Sequence, residues 1–196
     1  MADRSRLETL LVFLETIDRF KSIYRAAYLS DMSRHESDAE HVWHLCMYAW
    51  LLHGETALEA DLGHSLELIL AHDLVEIYAG DTPLHSPDLH HDKQAREAEA
   101  ADRLFGTLPE EPAAQLRSWW EEFEQGETAD ARFVSAIDRL QAFAQNVFAG
   151  GQTWRDFQVT EEVSRERNRR AMEADPSLSE LFEILYRRAA EGAMWG

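Results

Sequence analysis

Apolar residues recur at helical spacing along almost the whole chain. From Leu7 to Leu29 they fall at Leu7, Leu10, Leu11, Leu14, Ile17, Ile23 and Tyr24, as in an amphipathic helix. The polar stretch Ser30 to Asp38 interrupts the pattern. A second helix is expected over 39–53, ending at Gly54, a residue type that commonly closes helices. A third, over 60–79, is apolar through Leu66–Leu70 and Leu74–Ile77, which marks a helix buried on most sides. Gly80, Asp81, Thr82 and Pro83 end it. Residues 84–91, with His85, His90 and His91, read as an irregular polar loop. Further helices are expected over 92–106, 110–125 and 128–149, the last closed by Gly150-Gly151. A final pair lies between Asp156 and Glu191, broken near Asp175-Pro176 because proline disfavours helix in the residue before it. No strand-like alternation, internal repeat or low-complexity linker interrupts this pattern. The expectation is a single all-α domain over 1–196, a bundle of seven or eight helices.

Composition narrows the class. A chain of 196 residues can bury a self-sufficient core, and 45% hydrophobic with 29% charged residues is ordinary for a soluble protein. Acidic side chains outnumber basic ones 37 to 19, a formal net charge of −18. That field repels polyanions and argues against a nucleic acid polymer or an anionic membrane as partner. A single cysteine, Cys46, rules out an intramolecular disulfide and a cysteine-based zinc site. No apolar run approaches the roughly 20 residues that span a bilayer. The segment Met1 to Glu8 lacks the apolar core of a signal peptide, so the expected setting is cytoplasmic.

Candidate chemistry begins at His72-Asp73, inside the most apolar helical pattern of the chain. Glu76 follows one turn after His72, on the same face. Three ionisable groups at the end of a buried helix are costly unless paired, hydrogen-bonded or bound to a cation. The alternative is a helix end turned to solvent, with Glu76 and Asp81 hydrated. His41 and His44, spaced i, i+3, share a face with Leu45 and Tyr48. One of them can turn inward as a ligand, and His44 reads better as a supporting, partly buried histidine. Asp138 sits at the edge of an apolar stripe that includes Val134, Ile137 and Phe143. It is placed either to pair with Arg132 or Arg139 or, with better motivation, to bind a metal. Two imidazoles and two carboxylates make a mixed N/O set suited to a divalent Mn, Co, Fe, Zn or Mg ion, with coordination positions left for water.

These residues stand in a recognisable order. His41…His72-Asp73…Asp138 resembles the H…HD…D signature of the HD-domain metal-dependent phosphohydrolases. Glu36-Ser37-Asp38-Ala39-Glu40-His41 is similar to the segment before that family's first ligand. The block from His72 to Asp81, with Glu76 and the Gly80-Asp81 pair, resembles the branch containing the 5′-deoxynucleotidases, as does Phe133 to Leu140 around the last aspartate. The resemblance covers roughly residues 10–175. It implies an all-α fold and one divalent metal ion held by His41, His72, Asp73 and Asp138. It also implies hydrolysis of (deoxy)nucleoside 5′-monophosphates to orthophosphate, with a small-molecule substrate and a homodimer. By the same resemblance Glu76 is the proton-transfer group, Asp81 orients the attacking water, and Arg19 contacts the substrate phosphate. The stretch between Arg19 and His41 is longer than in familiar bacterial members, and Val42 stands where serine is common, so Arg25 and Arg34 are alternatives to Arg19.

Phosphate ester hydrolysis asks for positioning and charge stabilisation more than covalent work. An apolar helix raises the pKa of Glu76 and a nearby cation lowers it. Competing readings are a phosphodiesterase or nucleoside polyphosphate hydrolase on the same fold. A third is a non-catalytic metal-binding helical protein using Trp119-Trp120, Trp154 and Trp195 as a surface. The stretch Leu178 to Tyr186 can supply a dimer face or cap the core.

Overall fold

Five of the helices start where a side chain satisfies free N–H groups of the first turn. The computed structural model describes residues 4–81 and 92–196, so the loop expected over 84–91 lies outside the described residues. Helix α1 (Arg4–Ile17) runs into a 3₁₀ turn (Asp18–Ser22) and a short hairpin, β1 (Tyr24–Tyr28) and β2 (His35–Ser37). Then come α2 (Asp38–Leu52), α3 (Leu62–His72), α4 (Glu76–Ala79), α5 (Lys93–Phe105) and α6 (Glu110–Gln125). The chain ends with α7 (Ala129–Phe148), α8 (Gln152–Asp156), α9 (Glu161–Ala174) and α10 (Pro176–Glu191). The caps are Ser37 for α2, Asp61 for α3, Thr128 for α7, Thr160 for α9 and Asp175 for α10, where Pro176 takes the first turn. Gly126 closes α6 in the left-handed conformation, φ 64°.

The long helix α7 is the axis of the bundle. More than half of its residues are buried, and it packs against α2, α3, α6, α9 and α10. The apolar face of α10 closes the core, with Leu178 and Phe182 at 0% exposure. Trp154 and Trp120 are buried and Trp195 stacks on Trp154, so these rings serve the core and not a partner surface. The exposed tryptophans are Trp43 and Trp50, on the outer face of α2.

Two expectations are corrected. The helix expected over 7–29 ends at Ile17, and residues 24–28 form a strand although no strand was anticipated. Ala26 and Ala27 favour helix locally. Tertiary partners override them: β1 pairs antiparallel with β2, Gln145 Nε2 donates to Tyr28 O at 2.7 Å, and Thr153 Oγ1 donates to Ala26 O at 3.3 Å. The helix expected over 60–79 is likewise broken, ending at His72 and resuming at Glu76. Asp73 is the capping residue at this break, and its Oδ2 lies 3.1 Å from His72 Nε2. Among the described residues the fold is otherwise all-α, and no helix is long and apolar enough to cross a membrane.

Candidate metal centre

His41, His72, Asp73 and Asp138 come from three helices and converge. His41 Nε2 lies 3.1 Å from Asp138 Oδ1 and 3.7 Å from Asp73 Oδ2, and His72 Nε2 lies 3.1 Å from the same Asp73 oxygen. Both imidazoles are buried, at 0% and 3% exposure. Their other ring nitrogens are already engaged. His41 Nδ1 meets Gln141 Oε1 at 2.6 Å, and His72 Nδ1 meets the carbonyl of Ile69 at 2.8 Å. Each partner can only accept, so each Nδ1 carries the proton and donates it. Each Nε2 is then the ring atom left to face the carboxylates and available to a cation.

That arrangement is what a cation needs. His41 Nε2, His72 Nε2 and Asp138 Oδ1 are buried with no hydrogen-bond partner. A lone pair facing a carboxylate oxygen at 3.1 Å is repulsive unless positive charge sits between them. The local field makes the same point. Burial opposes a charge on His72, yet Asp73 and Asp138 push its pKa up to about 9. Asp73 and Asp138 stay below the usual carboxylate range despite their burial, held there by the histidines and Arg25. The centre attracts positive charge, and its N/O donors fit a divalent ion.

The segment before His41 is built residue by residue around this centre. Ser37 caps α2 while the Glu40 side chain accepts from the Ser37 backbone N–H, a reciprocal capping box. Glu40 also takes a bidentate pair from Arg34, at 2.7 and 2.5 Å. Glu36 is buried and accepts from Gln141 Nε2 at 3.2 Å, so Gln141 bridges Glu36 and His41. His44 approaches the same amide at 3.3 Å and is a half-buried supporting residue. Neither Gln141 nor Glu36 stood out in the sequence as a support of His41, because the contact spans about a hundred residues of chain.

Acidic residues crowd the next shell. Oxygens of Asp38, Asp73 and Glu76 lie within 4.8 Å of one another. Glu76 is buried, and burial followed by the charges of Asp73 and Asp38 raises its pKa well above normal. Asp81 lines the same cleft, its pKa raised by burial with Arg25 opposing. Gly80 precedes it at φ 76°, a backbone angle that suits glycine and turns Asp81 inward. Arg25, on β1, reaches across 48 residues of sequence to Asp73 Oδ2 at 2.8 Å, with Asp38 Oδ1 at 3.5 Å. Arg19 lies elsewhere: it is exposed, and its guanidinium rests 5.3 Å from the centre of the Tyr78 ring. Arg34 is engaged by Glu40, so of the three arginines only Arg25 lines the cleft.

Comparisons with known proteins agree with this geometry. The profile of the HD domain matches residues 17–179. A solved structure described as a predicted metal-dependent phosphohydrolase from Magnetospirillum magnetotacticum MS-1 superposes with a TM-score of 0.90. It is 38% identical, over 98% of this chain and 96% of that one. A conserved hypothetical protein from Pyrococcus furiosus shares the fold, with a TM-score of 0.63 at 22% identity, over 90% of this chain and 99% of that one. A human protein named 5′-deoxynucleotidase HDDC2 is 28% identical over 138 residues, 70% of this chain and 66% of that protein. The chain spans just under two thirds of the length of the human and bovine relatives. With the profile covering most of its length and its histidines and aspartates meeting at one point, the chain belongs to the HD domain family.

Proposed function

We propose that the chain is a metal-dependent phosphomonoesterase that releases orthophosphate from (deoxy)nucleoside 5′-monophosphates. The observation that carries this reading is the pair of buried, unpartnered Nε2 atoms facing two carboxylates, with both Nδ1 protons committed to acceptors behind them. The relatives named 5′-deoxynucleotidases, in human and in Schizosaccharomyces pombe among others, support the substrate class.

His41, His72, Asp73 and Asp138 would hold one divalent ion. Bound there, such an ion supplies positive charge against the phosphoryl oxygens and makes a water acidic enough to attack. Arg25 spends only Nη1 on Asp73 and Asp38 and offers its other donors to the phosphate dianion. This assigns to Arg25 the phosphate contact expected of Arg19. Glu76, kept protonated by its burial among carboxylates, gives its proton to the leaving 5′ oxygen. Asp81 accepts a hydrogen bond from the attacking water and orients it. Nucleoside monophosphates are cytoplasmic metabolites, which suits a cytoplasmic setting. Homodimer formation is supported by the outward stripe Trp43, Met47, Trp50 and Leu51 on α2, an exposed apolar patch at helical spacing. Light scattering should return twice the chain mass.

The test is orthophosphate release from a panel of deoxynucleoside 5′-monophosphates with Mn²⁺ or Co²⁺. Turnover that disappears in Glu76→Gln while metal binding persists is the expected result. No turnover of any member, with metal demonstrably bound, overturns the reading.

A further inference from the structure

Helix α5 begins against its own electrostatics. Its first residue is Lys93, a cation at the end of the helix where the macrodipole favours an anion, and no acidic residue stands in the first turn. Asp92 before it makes no side-chain cap. A residue placed against local preference commonly serves something outside its own helix. Lys93 faces the metal centre: it lines the same cleft as Arg25, Asp73, Glu76 and Asp81. Its Nζ lies 3.3 Å from Glu97 Oε1, one helical turn further on. Glu97 is 4% exposed and also lines the cleft, a buried carboxylate with no part in the chemistry given to Glu76 and Asp81.

Charges on several segments bear on this ammonium. Burial opposes its charge, while Glu97 on α5, Glu124 on α6, Glu76 on α4 and Asp73 hold its pKa above the usual value. The influence is mutual. Burial raises the pKa of Asp81, and Arg25, Lys93 and His41 oppose that rise. Lys93 is therefore within electrostatic reach of the centre, on a different element from Arg25. Among the described residues Glu97 is its one ion-pair partner, so two of its three N–H donors remain for an anion in the cleft.

We propose that Lys93 is a second phosphate-contacting side chain, meeting the phosphoryl group from α5 as Arg25 meets it from β1, with Glu97 as the positioning residue that holds its ammonium. A phosphoryl group spreads its charge over three non-bridging oxygens as the ester bond breaks, and each needs a positive or hydrogen-bonding partner. Arg25 offers a planar fork; a lysine adds a compact point charge for an oxygen that the fork does not cover. Glu97 fixes where that charge stands. The location of the phosphate rests on the reading of the centre given above, but phosphate binding by Lys93 does not require turnover.

Calorimetric titration of the protein with inorganic phosphate in the presence of Mn²⁺ tests the contact without turnover. Lys93→Met should weaken phosphate binding about tenfold, the size of one charge-assisted hydrogen bond, and Lys93→Arg should keep most of the affinity. Glu97→Ala should weaken it about threefold, and Glu97→Gln, whose amide oxygen still accepts from the ammonium, should restore it. Mn²⁺ affinity should hold or rise in Lys93→Met, since a cation leaves its surroundings. Phosphate affinity within twofold of the unaltered protein in Lys93→Met, or a loss matched by an equal loss of Mn²⁺ binding, overturns the contact. Glu97→Ala binding phosphate as well as the unaltered protein overturns the positioning role. Orthophosphate release from deoxynucleoside 5′-monophosphates separates the two proposals. Phosphate binding that depends on Lys93, without turnover of any member, upholds the contact and defeats the hydrolase reading, whereas turnover with a phosphate affinity indifferent to Lys93 does the reverse.

Discussion

Helix α7 borders two interiors of opposite chemistry. Around Asp138 and Gln141 it meets imidazoles and carboxylates, several of whose buried polar atoms have no partner. A few residues further on, Phe143 meets Trp154, Phe182 and Tyr186 with ring centroids 5.2, 5.6 and 4.5 Å away. The phenol of that cluster is satisfied, Tyr186 Oη lying 3.1 Å from Ser164 Oγ and 3.2 Å from Asn168 Nδ2. The aromatic end is therefore held by ring packing and needs no cation. The polar end holds its charges apart until a cation joins them, which is the usual cost of a functional site.

The sharpest way to separate the two ends is to cut each in turn. Phe182→Ala should destabilise the fold by about 3–5 kcal/mol in chemical denaturation, since a large buried ring leaves a cavity behind. The folded fraction should keep its metal affinity, and a loss below about 1 kcal/mol would mean the aromatic end is not the stabilising one. A divalent ion at about a hundred times its Kd should add roughly 2.7 kcal/mol to the unaltered protein. That gain should vanish in Asp138→Asn or with a chelator, and a gain that survives the substitution would place the ion elsewhere. Gln141→Leu should weaken metal binding about 10- to 100-fold, because His41 then loses the acceptor that orients its ring. Ser37→Ala should cost about 1 kcal/mol through the cap of α2, measured as a shift in the unfolding midpoint.

The smallest expected effect is a pH dependence at the aromatic end. The Arg165 guanidinium hydrogen-bonds Glu183 and holds its carboxyl below the ordinary value of 4.5. Because the folded pKa is the lower one, this contribution is present above pH 4.5 and is lost as the pH falls through the depressed folded value. Both side chains are more than a third exposed, so solvent screens the pair. Glu183→Gln should flatten the acid limb of the stability profile slightly, and an unchanged limb would show that the pair contributes nothing.

The two ends also differ in how far the sequence reveals them. The aromatic end follows from pattern alone: α10 starts at Asp175-Pro176, and the apolar stripe of α7 is core as far as Val147, with Phe148 exposed. In the polar end the residues that meet could be named from the order of histidines and aspartates, but their supports could not. The break after His72 is invisible in an apolar run that continues through Leu74 and Val75. The strand bearing Arg25 is concealed because Ala26 and Ala27 read as helix formers until side chains of α7 and α8 take the backbone carbonyls of Tyr28 and Ala26. Gln141 contacts His41 across a hundred positions, a distance no local pattern reports.

The two imidazoles differ in one further respect, which concerns heredity more than chemistry. The proton on His72 is fixed by the carbonyl of Ile69, a main-chain atom present whatever residue is encoded there. The proton on His41 is fixed by the Gln141 side chain, which a single codon change removes. In a library of random variants selected for activity, position 69 should therefore accept any apolar residue that fits, while position 141 should be nearly invariant.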